Sequence, residues 1–212
     1  MTRKTLIMSD LFKEKDRIES FSDGVFAIAI TLLGLELKIP KLGVADPSVM
    51  WRTLGAQWHS YVAIIISFVT IFLIWIPHHV MLKIAHNVSY NLFLTNGFLL
   101  LVIICFPFTT GLVGEYFDTP ANKTVSAVYA TLCFFVDLAF FLFWKAVIST
   151  RLDWSSKERK VFRTIFRNMF IGFVVYAIAF TSSFIDAYVC MAICVAMWLF
   201  WGAYLNLFKK LQ

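Results

Sequence analysis

Few side chains in this sequence could do chemistry, and most of them stand where lipid is the expected surrounding. In RIESFSDGVFAIAITLLGLELK, residues 17–38, Arg17, Glu19, Ser22 and Asp23 open an apolar segment and Glu36 lies near its far end. Asp137 sits amid CFFVDLAFF, and His78 and His79 follow Pro77. Ionisable groups inside a membrane are costly, and by default they mark an ion path or a polar tie between helices. A histidine there can also sense pH near neutrality. Hydrolytic and redox chemistry lack their parts: there is no G-x-S-x-G, no H-E-x-x-H and no glycine-rich phosphate loop. Adjacent histidines point in different directions on a helix, so His78 and His79 make a poor metal pair. The expectation is a non-enzyme with no cofactor and no fixed metal.

The elements that must position these residues follow from composition. The 212 residues are 60% hydrophobic and only 15% charged, with a mean hydropathy of +0.77. A globular chain is nearer half apolar and a quarter charged, so the excess must face lipid. With roughly 20 apolar residues needed per crossing, six spans are expected at 18–38, 55–77, 91–113, 124–148, 166–184 and 186–208. A basic cytoplasmic N-terminus (1–17) precedes one six-helix membrane domain (18–210). Within the first span, the uncharged run from Gly24 to Leu35 is short for a crossing. The fold class is all-α and polytopic.

Charge sets the orientation. A cytoplasmic N-terminus leaves Lys38, Lys41, Arg52 and Lys123 outside and the other 15 of the 19 basic residues inside, as the positive-inside bias requires. Both termini are then cytoplasmic, in the cell (plasma or inner) membrane. The net charge of +6 is this bias and implies no nucleic-acid partner. The four cysteines lie in apolar stretches, where a thiol behaves as a small hydrophobe; no disulfide is expected. No cleavable signal peptide is read at the N-terminus.

Charge in a membrane helix is tolerated when it faces protein or water, so the first helix is expected at the centre of the bundle. At about 100° per residue, Arg17, Phe21, Gly24, Ile28, Thr31, Leu32 and Leu35 share one face. Phe26, Ile30, Leu33 and Leu37 form a second apolar face nearly opposite, and periodicity does not choose between them. Glu36 lies off the Ile28 face and reads as peripheral. Asp137 is expected to be a structural partner for a Tyr, Asn or Arg on another helix. His78 and His79 either sense pH or end the second span at the interface.

The run R-x-x-x-F-S-D, here Arg17, Phe21, Ser22 and Asp23, followed by an apolar helix with a threonine, resembles the signature of the transmembrane protein 175 family of potassium channels, in its single-repeat prokaryotic form. The resemblance extends to the layout of six spans with both ends cytoplasmic. It implies a homotetramer around one pore lined by the first helices, with an apolar ring in place of a carbonyl filter. Ile28 would form the narrowest ring and Thr31 a hydroxyl layer beyond it. Leu32 and Leu35 would be further rings, with permeant K+ passing Ile28 and Thr31. It also implies a helix-joining network of Arg17, Phe21, Ser22 and Asp23 with Trp75, His78 or His79, and Asn91 or Asn96; His78 and Asn91 are the preferred matches.

The expected function is a leak-like, potassium-selective channel for monovalent cations. An apolar constriction can gate by dewetting, and forced partial dehydration penalises sodium more than potassium. A secondary transporter would favour interrupted helices and repeated halves, and no repeat is seen. A non-conducting scaffold is the remaining alternative.

Overall fold

A computed structural model describes residues 3–38, 46–150 and 153–208, with only the backbone described for 3–14 and 206–208. Lys41, Arg151, Lys209 and Lys210, used above for orientation, lie outside the described residues. Every regular element among the described residues is helical: α1 (Arg3–Leu32), a 3-10 turn (Leu33–Glu36), α2 (Pro47–Ala56), α3 (Trp58–Ile84), α4 (Tyr90–Ile103), α5 (Phe106–Tyr116), α6 (Asn122–Ser149), α7 (Ser156–Ser183) and α8 (Ala187–Phe208). Among the described residues, six helical stretches have the length and apolarity to cross a bilayer, the third being α4 and α5 taken together.

Several ends differ from expectation, each for a local reason. The first helix begins at Arg3, so the basic N-terminal stretch runs helically into the span. The second span continues through Pro77 to Ile84 instead of stopping at residue 77. The proline leaves the Leu73 carbonyl without its helical donor but does not stop the helix, and His78, Val80, Met81 and Leu82 beyond it are all buried. The histidines therefore do not end the span. The third span is broken at Ile104 and Cys105, because Pro107 has no N–H to offer Ile103.

The fifth span starts ten residues earlier than expected, at Ser156. Its start is a reciprocal capping box: Glu158 N donates to Ser155 Oγ (3.3 Å) and Ser155 N donates to Glu158 Oε2 (2.7 Å). Ser155→Ala is expected to cost about 1 kcal/mol, read as a lower melting temperature in detergent. Asp186 caps α8 with its side chain alone, accepting from Tyr188 N (2.7 Å) and Val189 N (3.0 Å). Asp46 caps α2: the Ser48 hydroxyl and amide both donate to it and hold its carboxyl below the usual carboxylate range. This cap is complete at neutral pH and is lost as pH falls through that lowered value.

The bundle is organised around α6. It packs against α4, α5, α7 and α8, and 61% of its apolar window is buried, against 28% for the first span. The first helix is thus peripheral within one chain, contrary to the expectation of a central position. It touches α3, α4 and α5 along one side only. Lipid tails are as apolar as leucine, so this contact is held by close packing and hydrogen bonds more than by hydrophobic burial.

Candidate functional site

The two faces of α1 are now distinct. Phe26, Ala29 and Leu33 are each 1% exposed and pack on the bundle, with Ile30 half-buried beside them; Leu37, beyond the 3-10 turn, is exposed. On the other side Phe21, Gly24, Ile28, Thr31, Leu32 and Leu35 are exposed, Ile28 at 58%. Thr31 Oγ1 donates to the Ile28 carbonyl (2.9 Å), so the stripe contains no hydroxyl proton seeking a partner. Glu36 turns away from it toward α5, where its carboxylate fills the space a side chain at Gly111 would need. Lys38 ties the same end to Glu115 in the last turn of α5, and that hydrogen bond raises the lysine's pKa.

The packed side carries a directional chain of hydrogen bonds. Ser22 Oγ donates to the Ile18 carbonyl (2.8 Å), Asn96 Nδ2 donates to Ser22 Oγ (3.0 Å), and His78 Nε2 pairs with Asn96 Oδ1 (2.8 Å). An amide oxygen only accepts, so His78 carries its proton on Nε2 in this arrangement. Ser22, His78 and Asn96 are all buried, and the imidazole lies between Phe26 and Phe143 (centroids 5.1 and 4.9 Å). A second tie runs from Trp75 Nε1 to Asp23 Oδ1 (2.8 Å). His79 Nδ1 stands 3.0 Å from Glu19 Oε1.

Three residues named for the network are not in it. Asn91 is exposed, and Asn96 takes its place; five residues along a helix turn the side chain by about 140°, from the outer to the inner side of α4. Arg17 and Phe21 lie on the exposed face of α1, and Arg17 makes no hydrogen bond or ion pair with a described residue. Together with Tyr90, Phe93 and Gly97 they border a groove of about 940 Å³ between α1 and α4. Sequence reasoning missed Lys15, whose Nζ donates to the carbonyls of Lys83 (2.7 Å) and Ala85 (3.0 Å). It closes the last turn of α3, where unpaired carbonyls favour a cation; a lysine just ahead of the signature was the available signal.

Asp137 also departs from expectation. It is 4% exposed, and no described Tyr, Asn or Arg bonds to it.

The fold and the fastening of α1 define a polytopic six-helix membrane protein whose first helix presents a free stripe. The sequence pattern of the family described as "Endosomal/lysosomal potassium channel TMEM175" matches residues 17–107. A protein of Streptomyces collinus named as a potassium channel is 41% identical over 133 residues, 62% of this chain and 63% of that one. Another so named, from Chamaesiphon minutus, is 38% identical over 132 residues, 62% of this chain and 65% of that one. These alignments span just under two thirds of the relatives' lengths. The crystal structure of a lysosomal potassium-selective channel TMEM175 homolog from Chamaesiphon minutus superposes with a TM-score of 0.81 at 31% identity, covering 92% of this chain and 99% of that one. The chain belongs to the TMEM175 family.

Proposed function

We propose that the protein is a potassium-selective, leak-like cation channel in which four copies enclose an axial pore lined by α1. The observation that carries this reading is the division of α1 into a fastened side and a free, mainly apolar stripe that begins at the signature residues. One such helix cannot enclose a path, so closure needs copies about a rotation axis. In the assembly Ile28 forms the constriction, Thr31 a hydroxyl layer, and Leu32 and Leu35 wider rings, with K+ as the permeant ion and no bound cofactor. A neighbouring copy packs into the groove beside Arg17 and Phe21, so these two join chains instead of helices. Both termini face the cytoplasm, and the membrane is the cell membrane.

Recording from the purified protein in planar bilayers tests this. Unitary currents reversing near the potassium potential are expected; saturable flux without unitary steps would instead mark a transporter, and no ion movement a scaffold. Asp23→Ala removes the acceptor of the Trp75 indole. It is expected to lower stability by about 1–3 kcal/mol and to deplete the four-chain species on light scattering, with unchanged ion preference in whatever assembles. A full complement of tetramers with altered selectivity would remove Asp23 from the joining role.

A further inference from the structure

A half-open cavity of about 60 Å³ lies between α3, α6, α7 and α8, away from the α1 stripe, and its walls are almost entirely apolar. Asp137 is on that wall, and its Oδ2 has no hydrogen-bond partner. No basic side chain among the described residues pairs with it. The backbone makes room for it: a Cβ on Gly172 of α7 would sit 2.6 Å from Oδ2 and 3.0 Å from the Trp201 ring. A carboxyl so placed and left without a partner is costly in a membrane interior.

The indole and threonine donors of the cavity are already bonded, while the Tyr176 hydroxyl accepts a hydrogen bond and has no acceptor for its own proton among the described residues. Trp198 Nε1 donates to Thr70 Oγ1 (3.0 Å), Thr70 Oγ1 donates to the Ile66 carbonyl (2.8 Å), and Trp201 Nε1 donates to the Tyr176 hydroxyl (3.3 Å). Both indole donors are thereby taken. Pro77 has no N–H for the carbonyl of Leu73, and both residues line the cavity. The Asp137 carboxyl and the freed Leu73 carbonyl thus add acceptors beside aromatic rings, a setting that receives a cation through a charge-assisted hydrogen bond and cation–π contact. The volume suits an ammonium head group and excludes a drug-sized molecule, and the apolar walls exclude a free hydrated ion.

We propose that this cavity is a membrane-side binding site for the ammonium head of an amphiphilic amine, with Asp137 as its counter-ion and the alkyl tail lying in the bilayer. The site is independent of the channel reading, because neither α1 nor any conduction step enters into it.

The test uses the full chain in phosphatidylcholine vesicles and dicyclohexylcarbodiimide, which dissolves in the bilayer. The Asp137 acid would give its proton to a carbodiimide nitrogen while its oxygen adds to the central carbon. Migration of the acyl group to nitrogen then leaves a stable N-acylurea that retains every atom of the reagent. Peptide mass mapping is expected to place this adduct on Asp137 and not on Asp137→Asn. N,N-Dimethyldodecylamine, whose tertiary nitrogen cannot trap the activated carboxyl as a stable amide, is expected to slow the labelling about tenfold, and dodecanol, with a tail of the same length and no charge, to leave it unchanged. Equal protection by amine and alcohol would overturn the proposal, as would an unlabelled Asp137 or equal labelling by a water-soluble carbodiimide. The amine-against-alcohol comparison needs only the parent protein, so it stands even if Asp137→Asn does not fold.

Discussion

Ile28→Asn is expected to raise potassium flux about tenfold, a change of about 1.4 kcal/mol in the barrier, and to bring sodium flux closer to potassium flux. The isoleucine ring of the proposed pore repels water, and an ion crossing it must give up part of its hydration shell. Asparagine has as many side-chain heavy atoms but is slimmer and polar, so the ring loses its water-repelling surface: the amide holds water and coordinates the ion in transit. Sodium holds its water more tightly and gains more from that relief. Flux of both ions into vesicles, measured against identically reconstituted parent protein, checks the result. Identical flux and identical ion ratios would show that Ile28 is not the constriction.

Asn96→Leu is expected to lower thermal stability by about 2–4 kcal/mol, although an interhelical hydrogen bond in a membrane is worth only ~0.6 kcal/mol on average. The difference lies in what is left behind. Asn96 accepts from His78 and donates to Ser22, both buried. Removing it strands two polar groups at about 1–3 kcal/mol each. It also loosens the attachment of α1 to α4, so the melting temperature and the fraction of assembled protein should fall together. A variant as stable and as assembled as the parent would show that α1 is held by packing alone.

The number and helical nature of the spans were legible because lipid imposes a length and an apolarity that water-soluble helices do not share. Their ends were less so. The capping box at Ser155 and Glu158 is visible as S-x-x-E, but it lies in a polar run that a hydropathy reading assigns to a loop. In the site, the signature picked out Ser22 and Asp23. Which face of α1 they would fasten was not readable, since in a bilayer an apolar face serves equally well against lipid, protein or a pore. The choice of Asn96 over Asn91 depends on how α4 is rotated toward α1, and both turns of that helix are apolar enough to hide it. The empty surroundings of Asp137 were beyond reach for a different reason: the absence of a partner belongs to three neighbouring helices at once.

The hydrogen bond between Ser22 and Asn96 spans 74 positions of the chain, and that separation is also an interval of time. At ordinary rates of synthesis, roughly 4–15 s pass between the appearance of the two residues. Asp23 gains its α3 partner Trp75 part-way through that interval, whereas Ser22 lacks its α4 partner until the end of it. A newly made α1 is therefore expected to wait at the membrane surface or beside the insertion machinery and to settle fully only when α4 arrives. Truncating nascent chains before residue 96 should leave the first helix extractable by alkaline carbonate, and longer chains should hold it fast.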